Sequence, residues 1–577
     1  MRSGSFKYVF YCAVSIVMIC YIFSCKKNDA IKKDTVQVEA ADSLKASPGI
    51  NRIRLSWEVS DPAVKKAVIV IDNSDSVVVP REAGDTMSLT LTKLGEGNHS
   101  FSLYLYDAAG HSSGRSKVVG RVYGSQYIQS ALPWALRDVT FYDEKGELVI
   151  GWSKPELAAL GGEVEYTDTL NAVQLKRVPA DSDITVLKDY KPGASFKYRT
   201  LYLPEPDAID TFFTGYQTKA VAGGSLKNIA DKKGILIGSL ISYGAPWSNS
   251  DGVILDQSPN GIYTTIAEKE FNLGTATWGA GWGGWTSEST YDFTNVNVII
   301  NWCKANNQKV IMHNILGSAT YMPDWFNNGS FTPKQLNTFL KDLIDNFMDS
   351  NDNKDKVDIW DVANELFNND GTYRDMRWND MGWEDDASGL AGADKVNDNH
   401  PAFIGKALEY CREKTNALLE IRDYGIEDDD PKAKYYRKHL AFYQLMKHLQ
   451  AKGYPVNCVG IQAHRNIGST YEGGMDAFRS TIEKFRNAGL KVDITELDIS
   501  SDTAEQWTSA VAEEQKVQYY NIIKTAIEGG TDVINFWGFR DNNDPNWRVD
   551  QHPLIFDHDY NKKPAYYGVR DALFDAK

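Results

Sequence analysis

From residue 235 to the C-terminus, short apolar runs alternate with longer stretches in which apolar residues recur at helical spacing. The runs cover 235–240, 273–277, 309–313, 357–362, 417–421, 458–462, 491–496 and 533–537. Helical spacing covers 333–348, 403–413, 432–451, 474–488 and 512–528. Strands alternating with helices predict parallel pairing, and eight of them in the span 234–577 predict a (β/α)8 barrel. An open doubly wound sheet is the alternative, weakened because no Gly-rich phosphate loop follows the first run. The seventh run is the most telling. Leu490, Val492 and Ile494 hold every second position, and the run then meets Glu496 and Asp498.

Upstream the period changes to two. Ile53, Leu55 and Trp57 alternate with polar residues; apolar runs follow at 67–71, at 76–79 (stopped by Pro80) and at 100–106. Short strands between turn residues predict a β-sandwich over 49–125. A second unit over 136–221 repeats the theme, with Trp152 in the place of Trp57 and a Tyr-rich strand at 195–202. The expected architecture is therefore multidomain: two all-β immunoglobulin/fibronectin-III-like sandwiches, then a TIM barrel. The pair resembles the N-terminal modules of Bacteroidetes surface lipoproteins, and a spacer role is expected. Residues 222–233, opening on Ala222-Gly223-Gly224-Ser225, read as a linker.

The N-terminus adds a destination. Arg2 and Lys7 precede an apolar run from Tyr8 to Ser24, the form of a secretory signal. The run ends at Cys25, after which the chain turns polar. This resembles a bacterial lipobox, which implies a signal over 1–25, lipidation of Cys25 and a lipid-anchored protein of the cell envelope, expected at the outer membrane of a Gram-negative bacterium. Residues 26–48 would then be a flexible tether. Cys303, Cys411 and Cys458 are widely spaced and read as core thiols rather than a disulfide framework.

A net charge of −15 argues against nucleic acid as a partner. No metal-ligand spacing is present, and no metal or cofactor is expected. The acidic runs at 351–355, 384–386 and 427–430 read as solvated turns. Aromatics are abundant, with 15 Trp, 30 Tyr and 23 Phe, enough to supply sugar-stacking faces as well as cores.

In a barrel of this kind, working residues lie at the strand ends. Those ends hold His313, Asn364-Glu365, Gln462 with His464, Glu496 and Trp537. Two carboxylates flush with predicted strands suit cleavage of a glycosidic bond, one as acid/base and one as nucleophile. The nucleophile has to stay ionised through donors. His464 can donate to Glu496, and Asp498 can orient His464. Asn364 can donate to a sugar 2-hydroxyl, and Trp537 can floor the subsite.

The motifs Trp360-Asp361-Val362-Ala363-Asn364-Glu365, Gly460-Ile461-Gln462-Ala463-His464, Ile494-Thr495-Glu496-Leu497-Asp498 and Phe536-Trp537-Gly538 resemble glycoside hydrolase family 10, whose best-known members are endo-β-1,4-xylanases. Asp423-Tyr424 and the tail from Pro553 to Tyr567 extend the resemblance over nearly all of 235–577. It implies Glu365 as acid/base and Glu496 as nucleophile, with His313, Gln462, Tyr424, Trp537 and Trp547 at the substrate. One region departs. Where the family places Glu-Asn-x-Met-Lys-Trp after the second strand, this chain has Trp278-Gly279-Ala280-Gly281-Trp282-Gly283-Gly284-Trp285. Trp278 and Trp282 are expected to rebuild a sugar-stacking surface there. The expected function is a retaining endo-β-glycanase, monomeric in its catalytic unit, that acts on xylan or a related polysaccharide. The alternative is a catalytically weak glycan-binding lipoprotein on the same barrel.

Overall fold

A computed structural model describes residues 38–154, 159–244, 252–254, 256, 261–278, 284–318, 322–469, 471, 473–501, 507–542 and 547–577. The expected signal, Cys25 and Trp282 lie outside the described residues. The chain forms two compact units, one running to Ala131 and including Leu203–Phe212, the other comprising Leu132–Tyr202 and Phe213–Lys577.

The first unit is an antiparallel sandwich. One sheet joins Asp42–Pro48, Arg52–Glu58 and Thr86–Thr92; the other orders Asp75–Pro80, Val64–Ile71, Gly97–Asp107 and Ser116–Val122. Ile53, Leu55 and Trp57 from the first sheet meet Ala67, Ile69, Phe101 and Leu103 from the second in one buried cluster. Two boundaries expected from the sequence are corrected. Val38, expected in the tether, is buried in this core, and residues 42–48 form a strand because Asp42–Pro48 finds backbone partners on Arg52–Glu58. The stretch 203–212, expected in the second sandwich, belongs to the first unit. Asp210 there accepts from the Ile50 amide (2.8 Å) and pairs with the Arg52 guanidinium.

The second unit holds the other sandwich and the barrel. The sandwich core gathers Phe141, Leu148, Ile150, Trp152, Val164 and Phe196. It docks through Tyr142, whose ring lies 4.6 Å from that of Tyr567, and through Asp143, which pairs with Lys562 (2.7 Å) and accepts from the Tyr567 hydroxyl (3.1 Å). The expected linker is corrected as well. Leu226–Lys233 is a helix, because the Ser225 side chain caps its start and Gly234 in the left-handed region ends it. Leu226, Ile229 and Ala230 bury its inner face in the barrel core.

The barrel strands are β1 (Leu236–Leu240), β2 (Leu273–Thr277), β3 (Lys309–His313), β4 (Ile359–Asn364), β5 (Leu418–Asp423), β6 (Cys458–Ile461), β7 (Lys491–Ser500) and β8 (Val533–Phe536). They pair in parallel in that order; β8 pairs with β1, and β6 with β7, so the sheet closes and has no edge. Helices follow the strands in turn: α1 (Ile262–Glu270), α2 (Thr294–Ala305), α3 (Pro333–Asp349), α4 (Ala402–Lys414), α5 (Tyr436–Ala451), α6 (Gly474–Asn487), α7 (Ser509–Glu528) and α8 (Pro564–Asp575). α3 shows how sequence builds this layer. Thr332 and Gln335 form a capping box with Pro333 at the first turn, and Leu336, Leu340, Leu343 and Phe347 bury one stripe. Among the described cysteines, Cys303, Cys411 and Cys458 are buried and free.

Candidate active site

β4 ends on Asn364 and hands the chain to Glu365, which takes a left-handed backbone conformation (φ 56°) while its amide donates to the Arg422 carbonyl on β5 (3.0 Å). A non-glycine residue in that region costs roughly 1–2 kcal/mol, and such strain is common where a side chain must be aimed. The Glu365 carboxylate pairs with Arg374 (3.0 Å) and accepts from the Gln462 amide (3.3 Å). The same Gln462 nitrogen donates to the Asn364 oxygen at 3.0 Å. With its oxygen occupied, Asn364 keeps its own amide N–H groups for a substrate hydroxyl.

Glu496 sits on β7, where 3 % of its surface is exposed. Burial alone would raise its pKa. Against that stand the His464 hydrogen bond (3.1 Å), the electrostatic pull of His313 and His464, and Arg422 at 3.3 Å, and together they hold it down to about 2. His464 is poised between two acids: its Nε2 meets Glu496, and its Nδ1 lies 3.0 Å from Asp498, a charge contact poorly aligned for a hydrogen bond. Burial pulls the imidazole pKa down, but Asp498 and Glu496 outweigh it and raise it to about 10, so the ring is a cation at neutral pH. Asp498 is itself held by the Trp547 indole N–H (2.7 Å) and by Arg548 (3.2 Å).

The β6 end links the two halves. Gln462 reaches Glu365, and His464, two residues on, reaches Glu496. Ala463 between them adopts φ 59°, which turns the chain so that both side chains serve the same mouth. Trp537 from the β8 end stands edge-on to His313 (5.2 Å) and to His464 (6.5 Å). His313 is fixed from below by Asp361 (2.7 Å). Tyr424 accepts from Arg374 (3.2 Å), donates to Asn369 (3.0 Å) and has the Lys438 ammonium over its ring. Trp547 leaves 38 % of its surface exposed beside His464.

Trp278 is not at this mouth. Its ring packs 5.1 Å from both Phe293 and Phe347 behind the strands, its N–H donates to the Asp292 carbonyl, and 7 % of its surface is exposed. Trp285 is fully buried as well. Trp278 fills the space beside α2 and α3 and Trp285 packs among Trp325, Phe326 and Trp378, so the expectation of a stacking face at Trp278 is corrected.

Arg422 is the residue that sequence reasoning missed. It is wholly buried inside the barrel. Its guanidinium contacts Glu420 (2.6 Å), Asp361 (3.3 Å), Glu496 (3.3 Å) and the His313 ring nitrogen (3.2 Å). Below it, Cys458 Sγ approaches Asp493 (3.2 Å), whose pKa burial and the nearby Glu420 push up to about 8. Burial likewise raises Glu420. The signal was visible as Glu420-Ile421-Arg422-Asp423, charges at alternate positions of a strand closed on all sides. Arg374 gave no signal, because it lies in a loop whose return to Glu365 no local pattern encodes.

Residues 225–572 match Glycosyl hydrolase family 10, and residues 25–212 match a domain of unknown function. The chain is 27% identical over 320 residues to endo-1,4-beta-xylanase B of Thermotoga neapolitana, covering 54% of this chain and 83% of that protein. It is 28% identical over 299 residues to exoglucanase XynX of Acetivibrio thermocellus, covering 49% of this chain and 25% of the relative. Against endo-1,4-beta-xylanase A of Thermoanaerobacterium saccharolyticum the identity is again 28% over 299 residues, covering 49% of this chain and 23% of the relative. The chain thus spans about a quarter of the length of those last two relatives. Among solved structures, xylanase 10B from Thermotoga petrophila RKU-1 in complex with xylobiose superposes with a TM-score of 0.50 at 26% identity, covering 60% of this chain and 97% of that one.

Proposed function

We propose that this chain, which belongs to glycosyl hydrolase family 10, is a retaining endo-β-1,4-glycanase acting on xylan or a decorated relative of it. The observation that carries the reading is the bridge at the β6 end. One short segment touches Glu365 through Gln462 and Glu496 through His464, which brings two carboxylates to one mouth with different surroundings.

In the first step Glu496, kept ionised by His464 and Arg422, attacks the anomeric carbon, while Glu365 gives its proton to the departing glycosidic oxygen. The positive charge developing on the sugar ring faces the Glu496 carboxylate, and Asn364 donates to the neighbouring hydroxyl. In the second step Glu365 takes a proton from water, which displaces Glu496 from the anomeric carbon with net retention. The cations beside Glu496 lower its basicity, which makes it the better leaving group in this step.

The envelope reading belongs to the same proposal. A lipid on Cys25 would hold the protein at the membrane, and the two sandwiches, fibronectin-III-like in layout, would space the barrel from it. Palmitate labelling of the wild type and of Cys25→Ala tests the anchor. For the activity, purified protein is incubated with xylans, β-glucans and mixed-linkage glucans, and reducing ends are counted. Release from xylan, abolished in Glu496→Ala, is expected. Tight binding to one polysaccharide without release from any would overturn the reading in favour of a binding protein.

A further inference from the structure

Between Glu365 and α4 the chain makes a long excursion that the mechanism uses only at Arg374. It contains a two-stranded ribbon, Trp383–Asp385 paired with Asn399–Pro401. On that ribbon Trp383 leaves 51 % of its surface exposed. Its ring stands edge-on to Tyr373 at 5.7 Å, above a shallow cleft of about 520 Å³ walled by Thr372, Asn397, Asp398 and Asn399.

The ribbon is rigidly mounted. The Tyr373 hydroxyl meets His400 Nδ1 at 2.5 Å, and His400 Nε2 meets Asp386 at 3.0 Å. The His400 and His448 rings lie 4.2 Å apart, His448 accepts from the Ala387 amide (3.0 Å), and Tyr454 donates to Glu384 (2.6 Å). Asp386 and Glu384 are therefore structural acids, which corrects the expectation of a solvated acidic turn at 384–386. Burial drives His400 down to about 4, so its ring is neutral at working pH and the mount does not titrate there. Both ring nitrogens of His400 and Nδ1 of His448 are engaged within the protein, so His400 keeps no free lone pair.

We infer that Trp383 and its polar cleft form a second saccharide-binding site, which takes a segment of the polysaccharide chain outside the catalytic mouth. A sugar ring offers an apolar C–H face and a rim of hydroxyls. The cleft offers one exposed indole and a rim of hydroxyl, amide and carboxylate groups. A protein partner would call for a wider apolar patch; among the described residues of this excursion Trp383 is the exposed large apolar side chain. Tyr373, the wall of the cleft, directly precedes Arg374, the partner of Glu365, so the site adjoins the acid/base side of the mouth. The polysaccharide class rests on the proposed hydrolase reading.

The test uses the full chain carrying Glu496→Ala, so that bound polymer survives, with and without Trp383→Ala or Trp383→Phe. Affinity electrophoresis in gels holding soluble xylan, β-glucan or no polymer reads the dissociation constant. Stacking that covers roughly 55 Å² of indole is worth about tenfold in Kd. Trp383→Ala is expected to weaken retardation by about that factor and Trp383→Phe by less. With Glu496 intact, Trp383→Ala is expected to leave hydrolysis of a small aryl xylobioside unchanged. Retardation by every polymer unchanged in Trp383→Ala would overturn the site, as would a change in self-association alone. A wild type that releases no reducing ends while Trp383→Ala still loses retardation would overturn the hydrolase reading and leave the site standing.

Discussion

Replacing Arg422 is the perturbation that most directly probes how Glu496, the proposed nucleophile, is kept charged. Arg422→Met removes a buried cation 3.3 Å from Glu496 and leaves Glu420 and Asp361 facing each other across the vacated space. Unit charges at that distance attract by roughly 5 kcal/mol at an effective dielectric near 20. Much of this is offset by the cost of burying the guanidinium, and His464 remains in place. A residual of about 1.5–3 kcal/mol on Glu496 corresponds to a rise of roughly one to two pKa units. The sign follows from the depressed native value of about 2. Ionised Glu496 contributes stability above the ordinary carboxylate range, and that contribution is lost as pH falls toward 2. In the variant that contribution is smaller, and its loss is complete at a higher pH. The acid limb of kcat/KM, which reports the free enzyme, is expected to move up by one to two units. Losing one member of a buried ion cluster is expected to cost about 3–5 kcal/mol in urea unfolding. Arg422→Lys should fall between the two, because a point charge cannot bridge three carboxylates as a fork does. A folded Arg422→Met enzyme whose acid limb stays in place would refute the assignment of Glu496's ionisation to this cation.

Three further outcomes follow from the same geometry. Glu365→Ala is expected to lose about 10²–10⁴-fold on substrates with poor leaving groups and little on aryl glycosides; azide should restore turnover with a product of retained configuration, whereas rescue of Glu496→Ala should give the inverted azide, both read by NMR. His464→Gln keeps a donor to Glu496 but removes the cation, so the acid limb should rise while Asp498, left without its ring, lowers the melting temperature. Tyr142→Ala, which vacates the contact with Tyr567, is expected to destabilise the barrel unit by about 2 kcal/mol in a melting curve followed by loss of hydrolysis, although it lies on the sandwich.

The barrel was legible because its strands are apolar runs of the right length between helical stretches; predicted and observed strands differ by at most two residues at their ends, except β7, which runs four residues further, to Ser500. Glu365 and Glu496 were legible because a carboxylate at the end of a buried strand has few structural uses. Arg422 was not. Alternation of charged and apolar residues in a strand is the signature of a half-solvated sheet, and only closure of the barrel turns Glu420 and Arg422 inward. Trp278 failed for the converse reason: exposure of an indole beside glycines depends on whether Phe293 and Phe347 arrive to cover it, and they come from α2 and α3. The helix at Leu226–Lys233 was hidden by Gly223-Gly224, whose flexibility outweighed the Ser225 cap in a local reading.

The left-handed backbone at Glu365 carries a consequence for how such a gene would decay. The side chain proposed for proton transfer sits where glycine would relax the main chain by about 1 kcal/mol. Selection for hydrolysis and selection for a stable fold therefore pull this codon in opposite directions. Once turnover ceases to matter to the cell, position 365 is where drift is rewarded, and descendants that keep the barrel but carry Gly or Asn there would outlast their active ancestor on heating.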